Sequence, residues 1–151
     1  MAAERQLLGI SEDAVLGGRL RLRQPLSGHR VGHDAILLAA ATGGSAGELA
    51  VDLGAGIGAA GLALAARVNA IKVALVEIDE TLSRLACDNA RINGLAGRVR
   101  TIACDAEDKS ALAAAGLPAG SADRVLMNPP FHDARRHNVS PDARRRLAHA
   151  G

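Results

Sequence analysis

Two short runs carry residue types whose spacing could do chemistry. The first, VDLGAGIG (Val51 to Gly58), is an apolar run that passes straight into glycines at 54, 56 and 58 and then into an Ala/Leu-rich stretch. That pattern reads as a strand, a tight turn and a helix. Glycines let a ligand approach the backbone closely, and a helix start offers unpaired N–H groups. The spacing is G-x-G-x-G, with Ala55 between the first pair and Gly61 following, and it differs from the G-x-G-x-x-G of nicotinamide-binding sheets. Acidic residues accompany the loop: Asp52 just before it, and Glu77 at the end of the next apolar run, within VEID, followed by Ile78 and Asp79. The Glu77 carboxylate can accept both hydroxyls of a ribose, and Asp52 lies where an amino-acid ammonium would sit. Together these are what a site for S-adenosylmethionine needs. The other reading of the loop is a strand-to-helix turn that binds nothing.

The second run is Asn128-Pro129-Pro130-Phe131, directly after the last apolar run. Two prolines fix φ and push Asn128 out of helical geometry, making a rigid extended turn. Such a turn presents the Asn128 side-chain oxygen and the Pro129 carbonyl as converging acceptors, which suits an exocyclic amine on a planar base. Methylating that amine is hard because its lone pair is delocalised into the ring. Two acceptors that hold both N–H bonds favour pyramidalisation and aim the lone pair, so positioning supplies the catalysis and no strong base is required. Phe131 would stack on the base, a contact worth roughly 1–3 kcal/mol. The bland alternative is a proline turn beside a core phenylalanine.

Four short apolar or β-branched runs, 49–53, 71–77, 98–103 and 123–127, must position these groups, and each is separated from the next by a stretch long enough for a helix. Alternation of this kind predicts an α/β fold with a parallel sheet and helices on both faces. Helices are expected over 58–68, 80–93 and, more weakly, 107–116. Asp79 can cap the second of these, which competes with any ligand role for it. Asp105 and Ala106, in Cys104-Asp105-Ala106, fall at the carboxyl edge of the third strand, where ligands of open α/β sheets bind. Asp105 is there either an acceptor for an adenine amine or a solvated loop residue. Ahead of the sheet, residues 13–25 read as a hairpin turning at Gly17-Gly18, with Leu20 and Leu22 alternating with Arg19, Arg21 and Arg23. Asp34 is expected to cap a short helix, AILLAAAT, that stops at Gly43-Gly44. Residues 1–47 thus form a hairpin-and-helix unit ahead of a core over 48–151, whose Pro141 to Ala150 stretch reads as the first turns of another helix.

The motifs VDLGAGIG, VEID, CDNARINGL, CDA and NPPF, in this order, resemble those of class I S-adenosylmethionine-dependent methyltransferases that act on amino groups. The flanking segments LGGRLRLRQPLSGHRVGHDAILLAA and NPPFHDARRHNVSPDARRRLAHA look more narrowly like the bacterial tRNA adenine-N6 methyltransferases that modify an anticodon-loop adenine of a valine tRNA. The likeness runs from about Asp13 to Ala150. It implies a Rossmann-like sheet, S-adenosylmethionine held by Asp52, Gly54, Ala55, Gly56, Gly58, Glu77, Ile78, Asp105, Ala106 and Asn128, and catalysis by Asn128 to Phe131. It also places Gln24, His29 and Arg30 in a segment folding over the cofactor's methionine end; the alternative is a loop satisfied by its own backbone. NPPF followed by His132 is similar as well to ribosomal guanine-N2 methyltransferases, and an NPPY-like motif serves glutamine methylation in release-factor enzymes. The fold so implied has seven strands, whereas this chain supplies four core strands. A truncated chain is therefore expected, with a weakly active or inactive domain, a non-catalytic cofactor-binding module as the second reading, and an open sheet edge through which another chain could associate.

Composition sets the outer limits. The chain has 151 residues, 48% of them hydrophobic, with 32 Ala, 20 Leu and a single aromatic, Phe131. One shallow aliphatic core is expected, and recognition by several aromatic platforms is excluded. Cys87 and Cys104 form no CxxC pattern and the five histidines show no ligand spacing, which argues against a disulfide scaffold or a metal site. No apolar run approaches the roughly 20 residues of a membrane span, no signal peptide is visible, and a cytoplasmic protein is expected. Net charge is +2. The basic groups at Arg19, Arg21, Arg23 and at Arg135, Arg136 and Arg144 to Arg146 are either solvated faces or a track for phosphates of tRNA or another structured RNA.

Overall fold

The computed structural model describes residues 9–27 and 31–128. Among the described residues, six strands and four helices follow in chain order: β1 (Ile10–Val15), β2 (Leu20–Pro25), α1 (His33–Ala41), β3 (Leu49–Leu53), α2 (Ala59–Arg67), β4 (Lys72–Glu77), α3 (Glu80–Ile92), β5 (Val99–Ala103), α4 (Lys109–Ala114) and β6 (Arg124–Met127). β1 and β2 form an antiparallel hairpin joined by a short 3-10 turn at Leu16–Gly18, and the remaining strands form a parallel sheet in the order β5-β4-β3-β6. The expected α/β, Rossmann-like arrangement of four parallel strands is present. The central strands read as unbroken apolar runs because both their faces are covered.

Two clusters hold the sheet. On one face, Ala50, Val73, Leu75, Val99 and Leu126 pack with α1, α2, α3 and the hairpin residues Leu20 and Leu22. On the other, Val51, Ala74 and Val76 meet Leu117, with Leu112 of α4 at the margin. The hairpin and α1 thus share one core with the sheet. β6 is less enclosed: Leu126 is buried in the first cluster, while Val125 and Met127, which alternation turns to the second face, are exposed.

Three local expectations change. The hairpin starts at Ile10, three residues earlier than the alternation around the glycine turn suggested. α1 begins at His33 with Gly32 as its N-cap, so Asp34 falls inside the first turn and makes no side-chain cap. Gly32 is extended there (φ −103°, ψ −176°), and Asp34 is an acid in the first turn, where a negative charge suits the helix dipole. By contrast, Asp79 caps α3, its Oδ1 accepting from the N–H groups of Thr81 and Leu82 at 2.9 and 3.1 Å. α3 ends at Asn93-Gly94, with Gly94 at φ +68°. α4 is shorter than the 107–116 expected, because Asp108 caps it through the Ala111 N–H and Ala115 closes it.

Candidate active site

Sheet register brings the polar residues together. In the parallel pairing, Asp52 lies opposite Leu75 of β4 and Leu126 of β6, so all three point to one face. Two residues further along, Gly54, Glu77 and Asn128 leave the carboxyl ends of these strands side by side on that face. The strand order reverses at β3, with β4 on one side and β6 on the other, and the crevice at such a reversal is where open α/β sheets bind ligands. A cavity of about 310 Å³ opens there, at the lower end of the roughly 300–1,000 Å³ of small-molecule sites. Asp52, Gly54, Ala55, Gly56, Glu77 and Asn128 line it on the sheet side, and Ala35 of α1 with Val31 and Gly32 just ahead of that helix close it opposite.

The glycine loop is tied down at several points. The Ala55 N–H donates to the Val76 carbonyl at 2.9 Å, the Gly58 N–H to the Ala55 carbonyl at 2.9 Å, and the Gly56 N–H to Glu77 Oε1 at 2.9 Å. Gly56 sits at φ +57°, a left-handed conformation that side chains disfavour. The other carboxylate oxygen of Glu77, Oε2, accepts from the Asp79 N–H at 2.8 Å. A carboxylate offers about four acceptor positions. Two are taken by the backbone, and the remaining pair can serve two adjacent hydroxyls of a sugar on the cavity side.

Asp52 is buried, and its Oδ2 accepts from the Gly61 N–H at 3.0 Å. Burial pushes its carboxyl up from 3.8 to about 7, against the Gly61 N–H, which lowers it, and the charge of Glu77 adds to the rise. An ammonium entering the cavity would restore its charged form. Gly61 is where α2 crosses β4: a Cβ there would lie 2.4 Å from Leu75 Cδ2 and 3.1 Å from Asp52 Oδ2. Gly58 does not line the cavity; a Cβ at this position would meet Leu75 at 2.8 Å, so its place is in the packing.

The remaining sequence-named residues are more dispersed. Ile78 follows Glu77 and is exposed, an apolar surface beside the Glu77 carboxylate. Asp105 is exposed and its Oδ1 accepts from the Glu107 N–H at 2.9 Å. Neither it nor Ala106, which packs against the second cluster, lines the cavity. Arg30 with His29, and Pro129 to Phe131 with His132 and the arginines at 135, 136 and 144 to 146, lie outside the described residues. Arg23 and Arg21 approach Glu12, at 3.4 and 3.9 Å, which neutralises part of the hairpin's basic face. Among the described residues no group of three His, Cys, Asp or Glu is placed to hold a metal ion, and no helix is long and apolar enough to cross a membrane.

Two buried amides brace this site: Gln24, which the likeness placed in a segment over the cofactor, and Asn89, which the sequence did not single out. Gln24 takes the Asp13 carboxylate with its Nε2 at 2.7 Å and accepts the Val31 N–H at 2.9 Å, which fixes the start of the wall opposite the glycine loop. Asn89 of α3 donates to the carbonyl of Ile57, inside that loop, at 3.0 Å.

Comparisons with known proteins place this fold among methyltransferases. The family described as methyltransferase small domain matches residues 27–151. Among solved structures, a predicted O-methyltransferase, Atu636 from Agrobacterium tumefaciens, is 33% identical with a TM-score of 0.57, over 64% of this chain and 49% of that one. TYW2 from P. horikoshii in complex with MeSAdo (20% identity, TM-score 0.57, 66% of this chain and 38% of that one) shares the fold. So does M. jannaschii TYW2 in complex with AdoMet (21%, TM-score 0.55, 66% and 45%). No match is found among curated protein sequences. The chain spans less than half the length of these three structures. Fold, glycine loop, paired carboxylates and family match coincide on one crevice: the chain belongs to the methyltransferase small domain family of S-adenosylmethionine-dependent enzymes.

Proposed function

We propose that this chain binds S-adenosylmethionine in the crevice at the end of β3 and directs methyl transfer to an exocyclic amine, adenine N6 in tRNA, in the cytoplasm. The observation that carries the reading is the register of β3 with β6. Leu53 pairs with Met127, so Gly54 and Asn128 leave the sheet as neighbours and Asn128 borders the cavity that holds Asp52 and Glu77. The NPPF segment, of which Asn128 is the described residue, therefore starts beside this cavity.

In this reading the Gly54–Gly56 backbone and Asp52 receive the amino-acid end of the cofactor, Glu77 accepts its ribose hydroxyls, and Ile78 covers a face of its adenine, with Asp105 as a further acceptor at the adenine edge. When bound, the cofactor supplies an electrophilic methyl on a sulfonium. Asn128 Oδ1 and the Pro129 carbonyl each accept one N–H of the target amine. This localises the nitrogen lone pair; the N–C bond forms as the methyl's bond to sulfur breaks, leaving a neutral thioether, and the amine's surplus proton passes to solvent. Phe131 holds the base in plane once the base has been turned out of its stack. These effects act by orientation and on the transition state, so they appear in turnover more than in cofactor affinity.

The test is a single-turnover reaction with excess protein, S-adenosylmethionine and unmodified tRNA transcripts, read by nucleoside mass spectrometry, with ribosomal RNA and a release-factor peptide in parallel. N6-methyladenosine formed by the wild-type chain and lost in Asn128→Ala, with S-adenosylhomocysteine affinity changed by less than about twofold, supports the proposal. A methyl on guanine N2 or on glutamine assigns the alternative substrates. A second reading, a cofactor-binding module without turnover, is favoured by the exposure of Val125 (60%) and Met127 (37%) on β6. Among the described residues, β6 pairs only with β3. Cofactor binding with no transfer to any of the three substrates would select that reading.

A further inference from the structure

Asn89 of α3 and Asn93, the C-cap of that helix, lie one turn apart and both face the hairpin. Asn89 accepts the Arg23 N–H at 2.7 Å and donates to the Arg23 carbonyl at 3.0 Å. Asn93 does the same with Arg21, at 2.9 and 2.7 Å. Four residues of helix rise about 6 Å and two residues of strand about 6.7 Å, so two amides at i and i+4 can serve alternate residues of a strand edge. The side chains of α3 thus take the place of a neighbouring strand along β2.

The two asparagines differ in one bond. Asn89 is fully buried, and its Nδ2 also donates to the Ile57 carbonyl at 3.0 Å, inside the glycine loop that lines the cavity. The corresponding Nδ2 of Asn93 goes to the Asn89 carbonyl at 2.7 Å, within α3 itself. One primary amide therefore joins three elements: the hairpin, α3 and the loop.

We propose that Asn89 is a positioning residue for the cofactor pocket, holding the glycine loop through the Ile57 carbonyl while its other bonds lock the hairpin to α3. The proposal rests on reading that cavity as the cofactor site, but its first consequence needs no ligand. In Asn89→Asp the acceptor for the Arg23 N–H is kept and both donors are lost, so the loop is released. Asn93→Asp removes the same kind of hairpin pairing and leaves the loop bond intact, which makes it the matched control.

The experiment measures amide hydrogen exchange at Ala55, Gly56 and Gly58 in the ligand-free chain by NMR, together with S-adenosylhomocysteine affinity by calorimetry. Asn89→Asp should speed exchange at these three amides at least fivefold over Asn93→Asp and weaken affinity about tenfold, against less than twofold for Asn93→Asp. Equal effects of the two variants, or no change at the loop in either, overturn the proposal. Faster loop exchange in Asn89→Asp alone, with no version binding S-adenosylhomocysteine, upholds the positioning role and rejects the cofactor reading. Should Asn89→Asp fail to fold, the wild-type chain decides. Asn89 Nδ2 protons that exchange slowly and shift when S-adenosylhomocysteine is added support the proposal, and Nδ2 protons exchanging at solvent rate refute it.

Discussion

Asp52 makes the sharpest quantitative test of how the site is built. Burial holds its carboxyl at about 7 in the folded chain, against 3.8 when solvated. Between these values the native state keeps a proton that the unfolded chain has released. Stability attributable to Asp52 is therefore greatest below about pH 4 and declines as pH rises to about 7. About three pH units at 1.36 kcal/mol each give a decline of about 4 kcal/mol. Asn at this position keeps an oxygen for the Gly61 N–H and cannot ionise, so Asp52→Asn removes the slope. Urea denaturation of both chains at intervals from pH 4 to 8 isolates the effect, because other carboxylates cancel in the difference. At a slope of about 2 kcal/mol per M urea, the wild-type midpoint should fall by about 2 M relative to the variant across that range. The variant becomes the more stable chain at pH 8. A difference that stays flat with pH to within about 1 kcal/mol would show that Asp52 is charged and compensated in the folded chain, and the argument from burial would fail. With a cationic ligand the linkage reverses: S-adenosylhomocysteine, whose ammonium would sit beside Asp52, should bind more tightly as pH rises from 6 to 8 in wild type, and Asp52→Asn should lose that trend.

Three further substitutions follow from single contacts. Gly61→Ala places a methyl 2.4 Å from Leu75 Cδ2; it should destabilise by about 1–3 kcal/mol despite the helix preference of alanine, and a urea midpoint at or above that of wild type would refute the close-approach argument. Asp79→Ala removes the acceptor for two N–H groups at the start of α3 and should cost about 1 kcal/mol in the same measurement, with no change expected if the cap is idle. Glu77→Gln should shrink the affinity penalty of a cofactor analogue lacking one ribose hydroxyl from about tenfold or more in wild type to about twofold, and an unchanged penalty would place the sugar elsewhere.

The core strands were legible because a parallel strand buried on both faces is a continuous apolar run, and 49–53 matches β3 residue for residue. The carboxyl-end acids were legible for a related reason. Asp52 interrupts an apolar run and Glu77 ends one, and a charge in such a place is rare without a partner or a ligand. Helix starts were less secure. Asp34 and Asp79 are both acids next to a helical pattern, yet only Asp79 has the extended backbone of an N-cap with its side chain turned to the first amides, while Gly32 takes that position for α1. Asn89 shows the limit most clearly. Asn89 reads as an ordinary polar residue on an amphipathic helix, and its partner at Arg23 is 66 residues away in the chain. Only the folded arrangement makes its amide the bridge to the loop.

The alanine-rich, almost aromatic-free composition and the site have a common physical basis. Every residue of α2 from Ala59 to Ala65 is buried, and all but Leu62 and Leu64 are alanine or glycine. Side chains this small let the helix lie close enough to β3 and β4 for the Gly61 N–H to reach Asp52 and for Ala59 and Ala60 to line the cavity. Larger side chains on that face would lift the helix, lengthen the Gly61–Asp52 hydrogen bond and move the first turn of α2 away from the glycine loop. The two leucines then fill the space that the small residues leave, both fully buried. Close approach at the N-terminal half of α2 is thus a requirement of the pocket, and small residues interleaved with two buried leucines are how a chain with one phenylalanine meets it.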